Sequence, residues 1–387
     1  QFASSPMLEP FARILIAARA VWFYLAKLIW PTPLAFIYPL RFSVAVWWYP
    51  LPILLLCVLW PLWQLRARIG RGPLVALLFF IVTLAPALGF VNIYPMRFSL
   101  VADHFQYLAC VGPIALVCAI LSMRSARWLA PLVLFTLTVL SWRRAGAYHD
   151  QETLWADTVR KNPASWMVQA NYGAALLASG KLEAAEQHLG KSLAMRADPA
   201  AMLSLGRVRQ ARGDLAGAVE QYENAIALNP KYAPALCQLA DARVAQGDEP
   251  GAMRAYEQAI VNQPGNAPAR VDYGVLLAKA ARMREAADQF AAAVAIDPNS
   301  VLARRNYTGA LMHLGRLTEA EVQVRHILRR RPDDAAAYND LGIILARTNR
   351  ISDAVDAFSR AIAIDSSFES ARRNLEKLRN PSATSGS

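Results

Sequence analysis

A pattern of about 34 residues recurs six times between Trp166 and Ile364, and it constrains the fold more than any other feature of the chain. Three series of mostly small residues keep the same phase over six periods. The first is Gly173, Gly206, Ala240, Gly274, Thr308 and Gly342; the second is Ala185, Ala218, Ala252, Ala286, Ala320 and Ala354; the third is Ser192, Ala225, Ala259, Ala293, Ile327 and Ala361. A proline series, Pro230, Pro264, Pro298 and Pro332, is in step with them. Such agreement predicts repeats of one supersecondary unit.

This period resembles that of the tetratricopeptide repeat (TPR) family, in which each unit is a helix, a turn and a second helix. The resemblance implies an all-α, right-handed solenoid with an extended concave groove. Small residues are expected where the two helices of a unit cross, because only they allow close backbone approach. The side chains predicted to fill the space beside them are Leu176, Tyr222, Tyr256, Phe290 and Phe358. TPR arrays are binding surfaces, so the repeat indicates an architecture and no chemistry.

Most of the net charge of +12 lies in the apolar half of the chain. Residues 1–163 hold 14 Lys and Arg against 5 Asp and Glu, whereas residues 164–387 hold 27 against 24. The basic residues of the first half are scattered between hydrophobic runs and do not form one solvated face. They are typical of membrane flanks, and no nucleic-acid partner is predicted.

Four cysteines, Cys57, Cys110, Cys118 and Cys237, have neither CxxC nor metal-ligand spacing. We therefore expect no disulfide framework, no zinc site and no bound cofactor. The chain begins at Gln1, and no signal peptide precedes the first apolar run. We interpret it as a fragment that lacks the N-terminal half of a membrane domain.

Residues 1–43 are predicted to comprise an amphipathic or interfacial segment and an external loop. On a helical wheel Arg13, Arg19 and Lys27 share about a third of the circumference. The segment 13–30 therefore either lies in the membrane interface or spans the membrane with Arg19 facing other helices.

Four charge-free stretches follow and predict a multispan transmembrane helix bundle, at residues 44–63, 74–90, 107–123 and 128–142. The first has 20 residues, enough at about 1.5 Å per residue to cover a hydrocarbon core of about 30 Å. Aromatic residues near the ends of the stretches fit an interfacial belt. They are Trp48, Trp60, Trp63, Tyr94, Tyr107, Trp128 and Trp142.

The short loops predict the orientation. Arg66, Arg68 and Arg71 form one basic loop without acids, and Arg124 and Arg127 form another, so both are expected in the cytoplasm. This puts the TPR array on the external side of the membrane, although Arg143 and Arg144 favour the reverse.

The remaining segments are predicted as a junction half-repeat at 143–163 without a flexible linker, six TPR repeats at 164–366, a capping helix at 367–379 and a disordered tail at 380–387.

One polar loop next to the third predicted span combines an arginine, an aspartate, a histidine and a tyrosine. Arg97, Asp103, His104 and Tyr107 lie within eleven residues of one another. Such a group is able to hold a lipid phosphate and to assist proton transfer. An ordinary polar interface with aromatic anchors explains the same residues.

The loop sequence IYPMRFSLVADHFQYLACVGPIAL, with ARAVWFYLAKLIWPTPLAFIYP upstream, resembles the bacterial relatives of the transmembrane and TPR-containing O-mannosyltransferases. Their pattern resembles Ala-Asp-(Arg or His)-(Tyr or Phe)-x-Tyr-Leu, which the segment 102–108 matches. The resemblance implies a GT-C glycosyltransferase that moves a sugar, typically mannose, from a polyprenyl-phosphate carrier to a protein hydroxyl. It places the catalytic acids in an N-terminal external loop, upstream of Gln1, so Arg97, Asp103, His104 and Tyr107 are supporting residues only. Whether a metal takes part is left open.

The sixth position of each repeat carries a polar residue of the first helix: Asn171, Ser204, Gln238, Asp272, Asn306 and Asp340. A ladder of amides both donates and accepts hydrogen bonds, so it is able to grip the backbone of an extended peptide. It resembles the asparagine ladder of the TPR superhelix in O-GlcNAc transferase. Merely solvated positions are the alternative. The run 329–331, three arginines, is interpreted as a solvated helix end.

Three functions remain open from the sequence. The first is the C-terminal part of a glycosyltransferase whose array binds acceptor protein. The second is a non-catalytic, membrane-anchored TPR scaffold for envelope complexes, and the third is an O-antigen-ligase-like enzyme with a TPR array.

Overall fold

A computed structural model describes residues 10–30, 37, 48–88, 107–123 and 127–379. These residues form 19 α-helices joined by turns and short 3-10 segments, and no strand occurs among them. The prediction of an all-α fold with TPR-type helix pairs is confirmed for this part of the chain.

The helices have the following bounds: α1 Pro10–Ile29, α2 Pro50–Gln64, α3 Gly72–Leu84, α4 Val111–Ser122, α5 Ala130–Ala145, α6 Gln151–Lys161, α7 Trp166–Ala178, α8 Leu182–Met195, α9 Pro199–Ala211, α10 Leu215–Leu228, α11 Ala233–Gln246, α12 Glu249–Asn262, α13 Ala267–Lys279, α14 Met283–Ile296, α15 Val301–His313, α16 Leu317–Arg330, α17 Ala335–Arg347, α18 Ile351–Ile364 and α19 Glu369–Arg379. The chain divides into two compact units, Gln1–Val208 and Arg209–Ser387, with the division inside α9.

Helix α1 is a packed core helix of the first unit. Seven of its residues are buried: Leu15, Ile16, Ala17, Ala18, Ala20, Val21 and Tyr24. Several of them share a hydrophobic cluster with Phe80 and Leu84 of α3. Whether this helix lies in the membrane interface or spans the membrane stays a prediction. The guanidinium of Arg19 lies 4.6 Å from the ring centroid of Trp48. Trp48 is itself buried, so its ring packs inside the first unit.

Of the apolar helices α2 to α5, the first three are shorter than the predicted spans, whereas α5 is as long as the span 128–142. They contain 15, 13, 12 and 16 residues, against about 20 needed to cross a hydrocarbon core. One described segment, Pro50–Ala67, reaches the length and hydropathy required, and none of it is buried. The bundle of four full-length spans is therefore not supported. In α2 the difference arises because Pro50 lies at the first helical position; the fixed φ of proline starts a helix there, inside the predicted span 44–63.

Helix α5 passes into α6 through the single 3-10 turn Gly146–Tyr148. The carboxylate of Asp157 on α6 accepts hydrogen bonds from Arg144 on α5 at 2.7 Å and from Lys161 at 2.6 Å. Since Arg144 and Asp157 are both largely buried, their pairing links the two helices across the turn.

In three repeats the two helices cross closely at the glycine of the first series, Gly173, Gly274 or Gly342. A Cβ added to Gly173 would lie 2.6 Å from Cγ of Leu189, and one added to Gly274 would lie 2.6 Å from Cε1 of Phe290. The alanines of the second series are all at 0% exposure. One predicted partner is corrected: Leu189, and not Leu176, is the first-repeat counterpart of Phe290. Leu176 is buried too, but it lies on the first helix, whereas the space at the crossing is filled from the second.

The turn between the two helices of every repeat contains one residue in the left-handed region. Four are glycines, and the others are Ala281 (φ 59°) and Asn349 (φ 61°). The glycines are Gly180, Gly213, Gly247 and Gly315. A positive φ at this position is what ends the first helix and returns the chain along the second.

Candidate peptide-binding surface

The six ladder residues lie on the first helices of the repeats, most of which begin at a residue whose side chain caps the helix. Ser165, Asn266, Ser300 and Asp334 each accept a hydrogen bond from a backbone N–H of the following first turn. Such caps fix where each helix begins. The start of the helix and the crossing residue, which lies two positions after the ladder residue, give each ladder residue the same place in its repeat. We call the helix face that carries these residues the ladder face, and describe it in each unit separately.

In the first unit, Asn171 and Ser204 line a hollow of about 380 Å³. Its wall includes Trp166, whose ring centroid lies 4.7 Å from the guanidinium carbon of Arg196. Asp198 contributes a carboxylate to the same hollow. The hydroxyl of Ser204 donates to the backbone carbonyl of Ala200 at 2.9 Å, four residues earlier on its own helix. Asn171 is therefore the ladder residue of this unit with its full hydrogen-bonding capacity.

In the second unit the ladder residues are Gln238, Asp272, Asn306 and Asp340. The amide nitrogen of Gln238 donates to Oδ2 of Asp241 at 3.0 Å. Within the described part of the chain, no hydrogen bond, ion pair or ring contact involves the side chain of Asn306, and the same is true of Asn171 in the first unit. Both amides are half-buried. Each therefore offers one acceptor and two donors to a ligand at a partly desolvated position.

The second unit also contains an acidic cluster that sequence reasoning missed. The phenol O–H of Tyr256 on α12 donates to Oδ1 of Asp241 on α11. Burial raises the pKa of Asp272, and repulsion from Asp241 adds a smaller effect in the same direction. The side chain of Asp272 nevertheless reaches solvent. Burial, together with the nearby charges of Asp241 and Asp272, raises the pKa of Cys237 to about 11. The sequence spacing could have predicted this cluster, because Asp272 follows Gln238 by one period and Asp241 lies one helical turn after Gln238.

Asp340 is the most perturbed carboxylate of the ladder face. Burial raises its pKa to about 6, against the opposing attraction of Arg305. Arg305 is itself engaged, because its Nη2 lies 2.7 Å from Oδ2 of Asp334. Asp340 is thus held in surroundings that favour its neutral form.

The predicted lipid-phosphate site is not brought together by the described residues. Arg97, Asp103 and His104 lie outside them. Tyr107 lies in the turn that leads into α4, and 71% of its side chain is exposed. The role assigned to these four residues stays a prediction.

The arginines at positions 329–331 are exposed at the end of α16. Burial, and then repulsion from Arg329 and Arg330, lowers the pKa of Arg304. Arg304 donates to the carbonyl of Pro298 at 3.2 Å and to Gln323 at 2.5 Å. The run is therefore a cationic helix end next to a buried structural arginine.

No group of three or more metal-ligating side chains occurs among the residues that the structure describes. The four cysteines are present as free thiols.

Comparison with protein families matches two descriptions, "TPR repeat" over residues 206–247 and "Tetratricopeptide repeat" over residues 237–301 and 309–367. A comparison with curated proteins gives no significant match.

Similar solved structures include YrrB, described as a TPR protein with an unusual peptide-binding site. It is 21% identical, with 49% of this chain and 97% of that chain covered and a TM-score of 0.46. Another is pilF of Pseudomonas aeruginosa, at 14% identity, 55% and 97% coverage and a TM-score of 0.47. A third is the C-terminal part of a TPR repeat-containing protein from Cytophaga hutchinsonii, at 14% identity, 65% and 98% coverage and a TM-score of 0.47.

Proposed function

We propose, from the premise that residues 206–301 and 309–367 belong to the tetratricopeptide repeat family, that this chain is a membrane-anchored scaffold whose ladder face binds a partner protein as an extended polypeptide. The observation that carries the proposal is the pair of uncommitted, half-buried amides, Asn171 and Asn306, at equivalent positions of two repeats. An extended peptide exposes one N–H and one C=O at each residue, and an amide side chain pairs with both.

The ladder face of the second unit adds a preference for charge. Asp241, Asp272 and Asp340 lie on first helices of this unit, and two of them have raised pKa values. A lysine or arginine of the partner would stabilise their ionised forms. We therefore expect the bound segment to be basic where it contacts this unit.

A peptide selection tests the proposal. A random library of 12-residue peptides is displayed and selected on the full chain, and the Kd of the enriched peptides is measured by fluorescence anisotropy. Asn306→Ala should weaken binding by about threefold to tenfold, the effect of one hydrogen bond. The matched control is Gln258→Ala, at an exposed position of the second helix α12. Equal affinity for Asn306→Ala and the parent chain would contradict the role of the ladder face.

The membrane part of the proposal is supported by the exposed apolar side chains of the first unit. Large hydrophobic residues of α2 and α5 face outward, among them Trp60, Leu132, Phe135 and Trp142, the last at 82% exposure. Exposed apolar surface on this scale is costly in water and is covered by lipid or protein. We propose the bacterial inner membrane, with the TPR array on the periplasmic side, as the location.

A glycosyltransferase function is a more specific hypothesis than the scaffold, and it is supported by the sequence resemblance of the segment 102–108. In that function a polyprenyl-phosphate-linked sugar is the donor and the protein held on the ladder face is the acceptor. Changing Asp103 to Asn in a longer, active form should lower sugar transfer more than Arg143→Ala does. Equal effects would reduce the motif to an anchoring role. Nothing in the described residues favours the O-antigen-ligase-like alternative over this one.

A further inference from the structure

Helices α2 and α3 form a hairpin with an open apolar groove between them. The groove has a volume of about 940 Å³, and the described residues that line it are apolar apart from Cys57. Along α2 it extends from Ile53 to Trp63, a distance of about 15 Å at 1.5 Å per residue. This equals about half of a hydrocarbon core of roughly 30 Å, that is, the depth of one lipid leaflet. The groove therefore has the polarity and the length that suit an acyl chain.

Three arginines are placed at one end of this groove. The loop between the two helices carries Arg66, Arg68 and Arg71, and no Asp or Glu occurs anywhere between Glu9 and Asp103. Trp63, which lines the groove, is in contact with this loop. The guanidinium carbon of Arg66 lies 4.1 Å from its ring centroid, and Nη1 of Arg66 donates to its carbonyl at 2.6 Å.

This contact fixes one arginine at the mouth of the groove. Arg66 uses a single N–H for the carbonyl of Trp63, and a guanidinium has five in a planar fork that matches a phosphate. Arg68 and Arg71 are exposed. An anion bound at this end would thus meet three positive charges without a competing carboxylate from the neighbouring sequence.

We propose that the groove between α2 and α3 binds an anionic phospholipid of the cytoplasmic leaflet, with its phosphate at Arg66, Arg68 and Arg71 and one acyl chain along Ile53, Leu56 and Trp60. Basic sites between membrane helices on the cytoplasmic side are suited to anionic head groups. The inference rests on the proposed membrane location. Beyond that location, the proposal names the class of lipid and its binding site. It also gives the loop a function, which is to hold the hairpin at a fixed depth in the membrane.

The experiment reconstitutes the full chain into nanodiscs that contain phosphatidylcholine with one fifth phosphatidylglycerol, and determines by native mass spectrometry which lipids stay bound. Phosphatidylglycerol should be enriched over its share of the bilayer. The variant R66Q/R68Q/R71Q should lower this enrichment by about fivefold or more. Its matched control, R329Q/R330Q/R331Q, removes the same charge from an exposed part of the second unit and should behave as the parent chain.

A second variant separates the groove from the charge. Leu56→Trp narrows the groove without altering any charge and should lower the number of retained phosphatidylglycerol molecules, whereas Leu132→Trp, at an exposed position of α5, should not. Unchanged retention in Leu56→Trp, or equal loss in the two triple variants, overturns the site in favour of general attraction to an anionic surface. Failure of the parent chain to remain in discs of phosphatidylcholine alone overturns the proposed membrane location itself. Retention in those discs without preference for phosphatidylglycerol overturns only the lipid site.

Discussion

Gly274 shows how one missing methyl group sets the spacing of a repeat. A Cβ at this position would lie 2.6 Å from Cε1 of Phe290, closer than real contacts allow. Gly274→Ala should therefore lower the unfolding free energy by about 1 to 3 kcal/mol, the usual effect of overpacking a core. Circular dichroism at 222 nm during denaturant unfolding measures it.

The control for this change is Gly309→Ala, because Gly309 lies inside α15 and nothing is within 4 Å of an added Cβ. There alanine should raise stability by about 0.5 to 1 kcal/mol, since it removes the entropic disadvantage of glycine in a helix. Destabilisation by both changes would mean that crossing geometry is not the cause.

Asp340 makes stability depend on pH. Its pKa is raised to about 6 in the folded chain, against about 3.9 in an unfolded one. The folded state thus binds more protons between these values, and stability falls as pH rises from about 4 to 6. Asp340→Asn should raise the unfolding free energy at pH 7 by about 1 to 2 kcal/mol, and the gain should vanish near pH 4.

Thermal midpoints between pH 4 and pH 7 test this, with Asp333→Asn at a neighbouring exposed position as the control. A gain for Asp340→Asn that is the same at both pH values would show that titration of Asp340 is not its source.

At the scale of elements, the six turns within the repeats each contain one residue with a positive φ, and different residue types occupy that position. Ala281 occupies the left-handed region at φ 59°, where four other repeats have glycine. This conformation costs a residue with a Cβ about 1 to 2 kcal/mol. Ala281→Gly should therefore raise the melting midpoint of the second unit, and Gly315→Ala, at φ 74°, should lower it. The two melting midpoints should therefore shift in opposite directions. A lower midpoint for Ala281→Gly would exclude relief of backbone strain at this position.

Three repeats also share a polar contact between the first helix and the preceding turn. Gln169, Arg270 and Arg304 occupy the same position of three repeats, and each donates to the carbonyl of a proline six residues earlier. Each also contacts a side chain on the second helix of its own repeat, as in the pair Arg270 and Gln289 at 2.9 Å. Other repeats have Met202, Leu236 and Tyr338 there. In the three repeats with the polar contact, a single polar side chain thus joins the turn to both helices.

At the scale of the whole molecule, the proposed topology gives a labelling pattern. In a variant with its four cysteines replaced by alanine, Gln258→Cys in the TPR array should react with a membrane-impermeant maleimide in intact cells. Ile69→Cys, in the arginine loop, should react only after permeabilisation, because short basic loops stay in the cytoplasm. Immunoblotting after a mass-tagged reagent measures both. The reverse pattern would invert the topology, and reaction of both positions in intact cells would exclude a membrane barrier between them.

The repeat could be predicted because its signals are local in sequence. The crossing positions, the alanine series and the ladder positions follow from a constant period, and the structure places them equivalently in successive repeats. The apolar half was predicted less well, because a charge-free stretch records hydropathy and not where a helix starts. Pro50 and Pro131 begin α2 and α5 inside the predicted spans, and Trp48 packs on Arg19.

The sequence by itself determined the all-α repeat architecture and which residues recur at each crossing, because a period of 34 residues is a property of the chain order. Only the tertiary structure decided that Tyr256 on α12 pairs with Asp241 on α11, and that an apolar groove lies between α2 and α3. These contacts depend on how one helix is set against the next. Such a setting is fixed by packing between elements that sequence spacing alone does not specify.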